Sequence, residues 1–358
     1  METLNQEKLD HYVQQVMGTI SSGMAAVISA VGDKLGLYQS LHTLGAATSH
    51  ELAAETGLSE RWLREWLEHQ ACYGFIEYRR SDRRFYLSPE AVVVLLDETH
   101  PSNFAGGFEG IVSSFGSMPR LIDAFHTGLG ASYDDHGEGC ARGIERMTAW
   151  SKENLLVPTI LPMVPNLVDR LHAGAMVADV GCGAGRALIV MAQNFPRSTF
   201  VGYDTSELAL ERARHALSTL DLTNIRFANP DSEPMPSTPT FDLVTTFDVV
   251  HDVPYPEALL AAIVGSLKED GVFLCEDIRS FPEFADNLDN NPLASLMYGF
   301  SLLICMSSGL SRPDGAGLGT LGFNEAVARR MMTAAGFTSF ERLPWDNPMN
   351  NYYLAGKQ

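Results

Sequence analysis

Between the apolar run MVADVG and a helical stretch lies Ala178-Asp179-Val180-Gly181-Cys182-Gly183-Ala184-Gly185-Arg186. Glycines at such a point let a strand reverse sharply into a helix and let a ligand approach the backbone closely. The spacing is G-x-G-x-G, whereas the dinucleotide fingerprint wants its third glycine one position later. A pyrophosphate would need the helix N-terminus; a nucleoside without phosphate would not. Asp179, just ahead of the turn, can receive an ammonium group directly or through water. Asp204 closes the next apolar run, FVGYD, where an acid accepts from ribose hydroxyls. Asp231 follows the third run in Asn229-Pro230-Asp231-Ser232, which is good turn chemistry and also a place from which a carboxylate accepts from an adenine amino group. Ammonium, ribose and adenine without phosphate describe S-adenosylmethionine (SAM), whose product is S-adenosylhomocysteine. With their neighbours these positions make a cofactor set of Asp179, Gly181, Cys182, Gly183, Gly185, Asp204, Thr205, Asp231, Ser232, Phe247 and Asp248.

Those residues need a frame. From Ala175 onward strand and helix patterns alternate, the signature of a parallel α/β sheet. The strands read MVADVG, TFVGYD, IRFAN, FDLVTTFD and GVFLCEDI, with helices at 187–194, 206–220 and 256–267 between them. FERLPW and NNYYLAG add an antiparallel hairpin turned by DNPM. The fold class is therefore α/β, a Rossmann-like SAM-binding domain over 174–358. Ahead of it, residues 1–97 read as helices followed by a small strand pair. Gly36 to Leu41 ends one helix, Thr48 or Ser49 caps the next, and Ser59 opens ERWLREWLEHQACYG, with Trp62, Leu63, Trp66, Leu67 and Ala71 at helical spacing. Phe75 to Tyr78 and Phe85 to Leu87 flank a polar turn, so the module reads as a winged helix. Residues 98–173 form a helical connector, with a helix start near Ser151 and Pro158, Pro162 and Pro165 breaking it up.

Charge narrows the partners. The chain has 358 residues with 25 Lys+Arg against 44 Asp+Glu, a formal net charge of -19. A nucleic-acid ligand wants a basic face to neutralise phosphates, and the second helix of the winged module sets Arg61 and Arg64 against Glu60, Glu65 and Glu68. The expectation is no nucleic acid, a structural or dimerising winged module, and a small neutral or cationic acceptor. The cysteines number 5 and form no C-x-x-C pair, so neither a disulfide framework nor a metal site is expected. The first residues are polar and unlike a signal peptide. No apolar stretch reads as reaching the ~18 residues of a membrane span. A reducing cytoplasm is the expected location.

Together these residues resemble the class I SAM-dependent methyltransferases, and the winged helix makes nearly the whole chain similar to the two-domain small-molecule enzymes, including plant caffeate-type O-methyltransferases and bacterial natural-product enzymes. The bacterial winged-helix subgroup is nearest: it carries a segment like Tyr298-Gly299-Phe300-Ser301-Leu302 followed by a run like Gly315-Ala316-Gly317-Leu318-Gly319-Thr320. The resemblance implies a seven-stranded sheet, a homodimer built through the N-terminal domain, and a substrate pocket roofed by that domain and the connector. It also implies a base, matched by His251 in Val250-His251-Asp252, and a glutamate orienting it, matched by Glu276 in Leu274-Cys275-Glu276-Asp277. Val253 stands where a tryptophan often follows His-Asp, and Leu321-Gly322-Phe323-Asn324 stands where the plant enzymes place a second glutamate.

Methyl transfer to a hydroxyl is an in-line displacement that needs alignment and removal of a proton. Histidine suits that task, and a carboxylate on its other nitrogen fixes the tautomer. O-methylation with His251 as base is the leading reading; an N- or C-methyltransferase, with His251 only steering, stays open. Tyr133, Tyr298 and Asp252 are candidate acceptor contacts, and His136 accompanies Tyr133. Met17, Met24, Phe104, Phe108, Phe115, Trp150 and Met297 read as core at helical spacing. Two other classes compete: a winged-helix regulator that senses SAM without turnover, which would want a basic second helix, and an NAD-dependent oxidoreductase, against which the glycine spacing speaks.

Overall fold

The computed structural model describes residues 4–357 and divides them into two compact units. The first comprises Met1–Val112 with Arg142–Trp150, the second Ser113–Ala141 with Ser151–Gln358, so the 98–173 segment contributes to both.

The first unit holds helices Gln6–Lys34, Leu37–Leu44, Ser49–Thr56 and Glu60–Tyr73, then the antiparallel strands β1 (Glu77–Arg79) and β2 (Arg84–Tyr86) in register Tyr78↔Phe85. Local chemistry sets these boundaries. Thr48 and Glu51 form a reciprocal capping box, and Gly57 and Gly74 end their helices in the left-handed conformation. One expectation is corrected: Gly36 takes φ 67 and opens a new helix at Leu37, so Leu37 to Leu41 begins an element instead of ending one. Leu37, Tyr38, Leu41, Leu52, Leu63, Trp66, Leu67 and Phe85 make one core, into which buried Gln70 accepts the Tyr38 hydroxyl at 2.7 Å. On Glu60–Tyr73, Arg61 pairs with Glu65 and Arg64 with Glu60.

The long helix Gln6–Lys34 is less buried than its sequence suggests. Tyr12, Val13, Val16, Met17, Ile20 and Met24 recur at helical spacing and are all more than half exposed. Met17 and Met24, read as core, are therefore surface residues, as are Phe104 and Phe115. By length and composition this helix also reaches what a membrane span needs, a test that core helices pass as well. Its Gly18, Thr19, Ser21, Ser22 and Gly23 interrupt the apolar run without making it hydrophilic.

The second unit is built on a seven-stranded sheet: β3 (Met176–Val180), β4 (Thr199–Tyr203), β5 (Ile225–Ala228), β6 (Phe241–Phe247), β7 (Leu267–Ile278), β8 (Ser339–Arg342) and β9 (Asn350–Gly356). Their order is β5-β4-β3-β6-β7-β9-β8; β3 to β7 pair in parallel, and β9 runs antiparallel between β7 and β8. Alternate side chains feed two cores. Val177, Leu243, Leu274 and Tyr352 pack on one face with Leu156, Leu171 and helix Arg186–Asn194. Ala178, Val244, Cys275 and Tyr353 pack on the other with helices Pro256–Ser266 and Glu325–Ala335. The strand order reverses between β3 and β6, which opens a ligand crevice at their C-terminal ends.

Ser151 does not start a helix. It lies near the end of Glu138–Asn154, which begins after Gly137 at φ 86. The proline series follows as a π-turn, Leu156–Ile160, and a short turn, Leu161–Met163.

Candidate functional site

The glycine turn follows β3 as its sequence requires. Gly181 and Gly185 sit at φ 70 and 75, and a Cβ there would lie 2.5 Å from Val249 Cγ2 and 2.4 Å from Phe227 Cζ respectively. The turn is tied down by its neighbours: the Gly181 and Cys182 N–H groups donate to the Tyr203 carbonyl, and the Gly183 N–H donates to Asp204 Oδ2 at 2.8 Å. Asp204 Oδ1 accepts the Ser206 N–H, also at 2.8 Å. One carboxylate at the tip of β4 thus shapes the turn while keeping lone pairs for hydroxyl donors.

Asp179 is buried and accepts the Thr245 hydroxyl at 2.7 Å; burial pushes its carboxyl up to about 7. Burial also pushes Asp252 up to about 7 and, with the Glu276 charge beside it, Asp248 up to about 8. Asp204 moves the same way for the same cause. Four carboxyl groups at the ends of β3, β4 and β6 are therefore reluctant to ionise until a cation joins them. A sulfonium and an ammonium, together with ribose hydroxyls, suit that donor set, and a pyrophosphate does not. The residues present fit SAM. Thr205, Asp231 and Ser232 are exposed near Asn229, whose side-chain oxygen accepts the Asp231 N–H. Asp248 adopts φ 58, and its Oδ1 accepts from Asn350 at 2.6 Å.

His251 is buried, and its Nδ1 lies 2.7 Å from Asp277 Oδ1. Here the sequence reading needs a correction: the carboxylate on the histidine is Asp277, not Glu276. Neighbouring residues of a strand face opposite sides. Glu276 therefore shares the Leu274 side of β7, and Asp277 the Cys275 side, where the segment after Val250 runs. Glu276 instead accepts from Lys152 Nζ with both oxygens at 2.7 Å, and that ammonium sits 4.2 Å above the Phe247 ring. Lys152 was missed from sequence, since nothing local marks a partner so distant along the chain.

Burial alone would push the His251 imidazolium down, but the Asp277 charge overrides it and holds its pKa well above the ordinary value. With Nδ1–H donated to Asp277, Nε2 is the nitrogen that carries the lone pair once the imidazolium gives up its proton. The Asp252, Cys305 and His251 ligating atoms lie within 4.8 Å of one another. Tyr133 stands in the same neighbourhood on the short helix Tyr133–His136; burial, then the Asp252 charge, raises its hydroxyl. His136 is buried with Nε2 3.2 Å from Ser308 Oγ. Tyr298 packs against Phe284, with ring centroids 6.2 Å apart, and remains 38% exposed. The arrangement offers a base oriented by a carboxylate at one end of an acid-lined crevice.

Comparisons with known proteins bear on the fold that carries these residues. Residues 171–307 match a methyltransferase domain model, and residues 23–96 match a Rv2258c-like winged HTH domain model. The ubiquinone biosynthesis O-methyltransferase of Idiomarina loihiensis is 34% identical over 119 residues, 32% of this chain and 46% of that protein. The chain spans between 36% and 59% of the length of such curated relatives. Among solved structures, mitomycin 7-O-methyltransferase superposes with a TM-score of 0.68 at 18% identity, covering 98% of this chain and 100% of that one. Human N-acetylserotonin methyltransferase in complex with SAM gives 0.69 at 16% identity, covering 100% and 99%. Residues 171–307 are accordingly similar to a methyltransferase domain, preceded at 23–96 by a region similar to a winged HTH domain, on a fold shared with solved methyltransferases.

Proposed function

We propose that this protein transfers the methyl group of SAM to a hydroxyl of a small-molecule acceptor, with His251 as the general base and Asp277 as its positioning carboxylate. The observation that carries this is the 2.7 Å contact between His251 Nδ1 and a fully buried Asp277. When bound, SAM supplies an activated methyl on a positively charged sulfur. The residues supply the rest. Gly181 and Gly185 give close backbone approach, Asp204 and Asp179 meet polar and cationic groups, and His251 Nε2 takes the acceptor proton as the methyl arrives. Asp277 stabilises the imidazolium that results. Tyr133 and Asp252 border the acceptor.

The same reading places the protein in a reducing cytoplasm, consistent with five free cysteines, and sets a second copy against the exposed apolar face of Gln6–Lys34. Light scattering of wild type and Ile20→Glu reads the latter; a monomer in both would refute it. For the base, His251→Ala is expected to lose roughly 10²- to 10⁴-fold in methyl transfer while binding S-adenosylhomocysteine as tightly as wild type. Transfer at the native rate would point to an acceptor that needs no base, on nitrogen or carbon.

A further inference from the structure

The π-turn Ser301–Cys305 has no part in the reading above. An added residue in a helical turn re-aims the side chains that follow it, and such turns recur at functional sites. Here the last residue of the turn is Cys305, whose Sγ lies within 4.8 Å of a His251 ring nitrogen. The run Gly315 to Thr320 holds both partners in place. Its Gly319 N–H donates to the His251 carbonyl at 3.1 Å, and its Thr320 N–H donates to Ser301 Oγ at 3.3 Å. Gly319 has no room for a side chain, since a Cβ would stand 2.3 Å from that same Oγ. One loop therefore fixes the backbone of the histidine and the start of the turn that carries the thiol. The third group is Asp277, on the far nitrogen of the ring. Nucleophile, base and orienting carboxylate stand in sequence, which is the constellation that activates a thiol.

We propose that Cys305, His251 and Asp277 form an activated-thiol site, and that it captures conjugated carbonyl compounds, enones or quinones, by addition to Cys305 Sγ. Cys305 reacts as the thiolate, its proton held on the His251 imidazolium, and the Sγ–carbon bond forms at the β-carbon. The alkene π pair moves toward the carbonyl oxygen as an enolate, and the imidazolium returns the proton to the α-carbon. Nothing is oxidised or reduced, and no co-reactant is consumed. The site shares His251 with the methyl-transfer reading but requires no turnover. Cys140, Cys182 and Cys275 are buried, and burial pushes Cys140 up to about 12 and raises Cys182 and Cys275; Cys305 is only partly buried.

N-ethylmaleimide, an activated alkene, tests this on the full chain at neutral pH, with labelling followed by peptide mapping. Cys305 is expected to react at least ~10-fold faster than the exposed Cys72. In Asp277→Asn and His251→Ala its rate should fall to that of Cys72, while calorimetry shows S-adenosylhomocysteine still bound and the variants folded. Cys305→Ser should remove the fast adduct altogether. Labelling of Cys305 no faster than Cys72, or undiminished in His251→Ala, overturns the proposal. Because methyl transfer is never read, a failed base assignment and a failed thiol assignment give different results.

Discussion

Asp277 Oδ1 receives both His251 and the Ile278 N–H, the latter at 2.8 Å, so the carboxylate is held from two sides. That grip matters because a base works only if its free nitrogen stays aimed. Asp277→Asn keeps the shape but loses the charge and can present the wrong donor to Nδ1. Because the carboxylate is what holds the His251 pKa high, kcat/KM in the wild type should rise with pH as the imidazolium gives up its proton. The variant should show its inflection at lower pH and a plateau reduced roughly 10²- to 10⁴-fold. A pH–rate profile checks both. An unchanged inflection would mean that Asp277 does not set the histidine's charge.

On the opposite side of the same strand, Glu276 and Lys152 form an ion pair buried to 3% and 7% side-chain exposure. Losing one partner strands the other charge out of water, whereas replacing both removes the desolvation cost together with the attraction. Lys152→Ala should therefore cost about 3–5 kcal/mol in denaturant unfolding. Lys152→Met combined with Glu276→Leu should recover most of that loss. A double variant no better than the single one would show that the pair contributes more than mutual neutralisation. This strand also marks where sequence reading stops. The runs of β3, β4, β6, β7 and β9 were legible because strands buried on both faces must be apolar throughout. The glycine turn was legible because only glycine tolerates its geometry. Which of two adjacent acids meets His251 was not, because that depends on the phase of β7 against its neighbours. Lys152 was hidden for a related reason: its partner comes from the sheet, not from its own helix. Ser151 misled because it looks like a cap, although the helix around it had already begun at Glu138.

Across the whole molecule the buried groups that ring the crevice outweigh the rest in setting the response to pH. Asp179, Asp248 and Asp252 are raised to about 7 or 8, and His251 is raised as well. A group whose pKa rises on folding gives stability that is complete below its unfolded value and is lost as pH climbs through the folded one. For the carboxyl groups that window runs from an ordinary value of ~4 to about 7 or 8. Surface acids held low, such as Glu51 by the Thr48 N–H and Glu60 by Ser49, act in the opposite sense but only below the ordinary range. The ligand-free protein should thus melt at a lower temperature near ~pH 8 than near ~pH 6. SAM, by bringing positive charge to the crevice, should narrow the difference. A melting temperature that climbs between those two conditions would contradict the electrostatic picture of the crevice.

One strand has a consequence for how the protein is made. β9 is inserted between β7 and β8 and pairs with β7 from Val272↔Gly356 to Ile278↔Asn350. The ribosome must therefore release the chain as far as Gly356 before β7 gains its second neighbour. Until then the nascent sheet carries an open, apolar edge of the kind that invites pairing with other chains. Tyr352 and Tyr353, which plug the two cores, arrive in that same final stretch. Truncation of the chain ahead of Asn350 is therefore expected to give aggregate instead of a folded but weaker protein, which sedimentation of the truncated product would check.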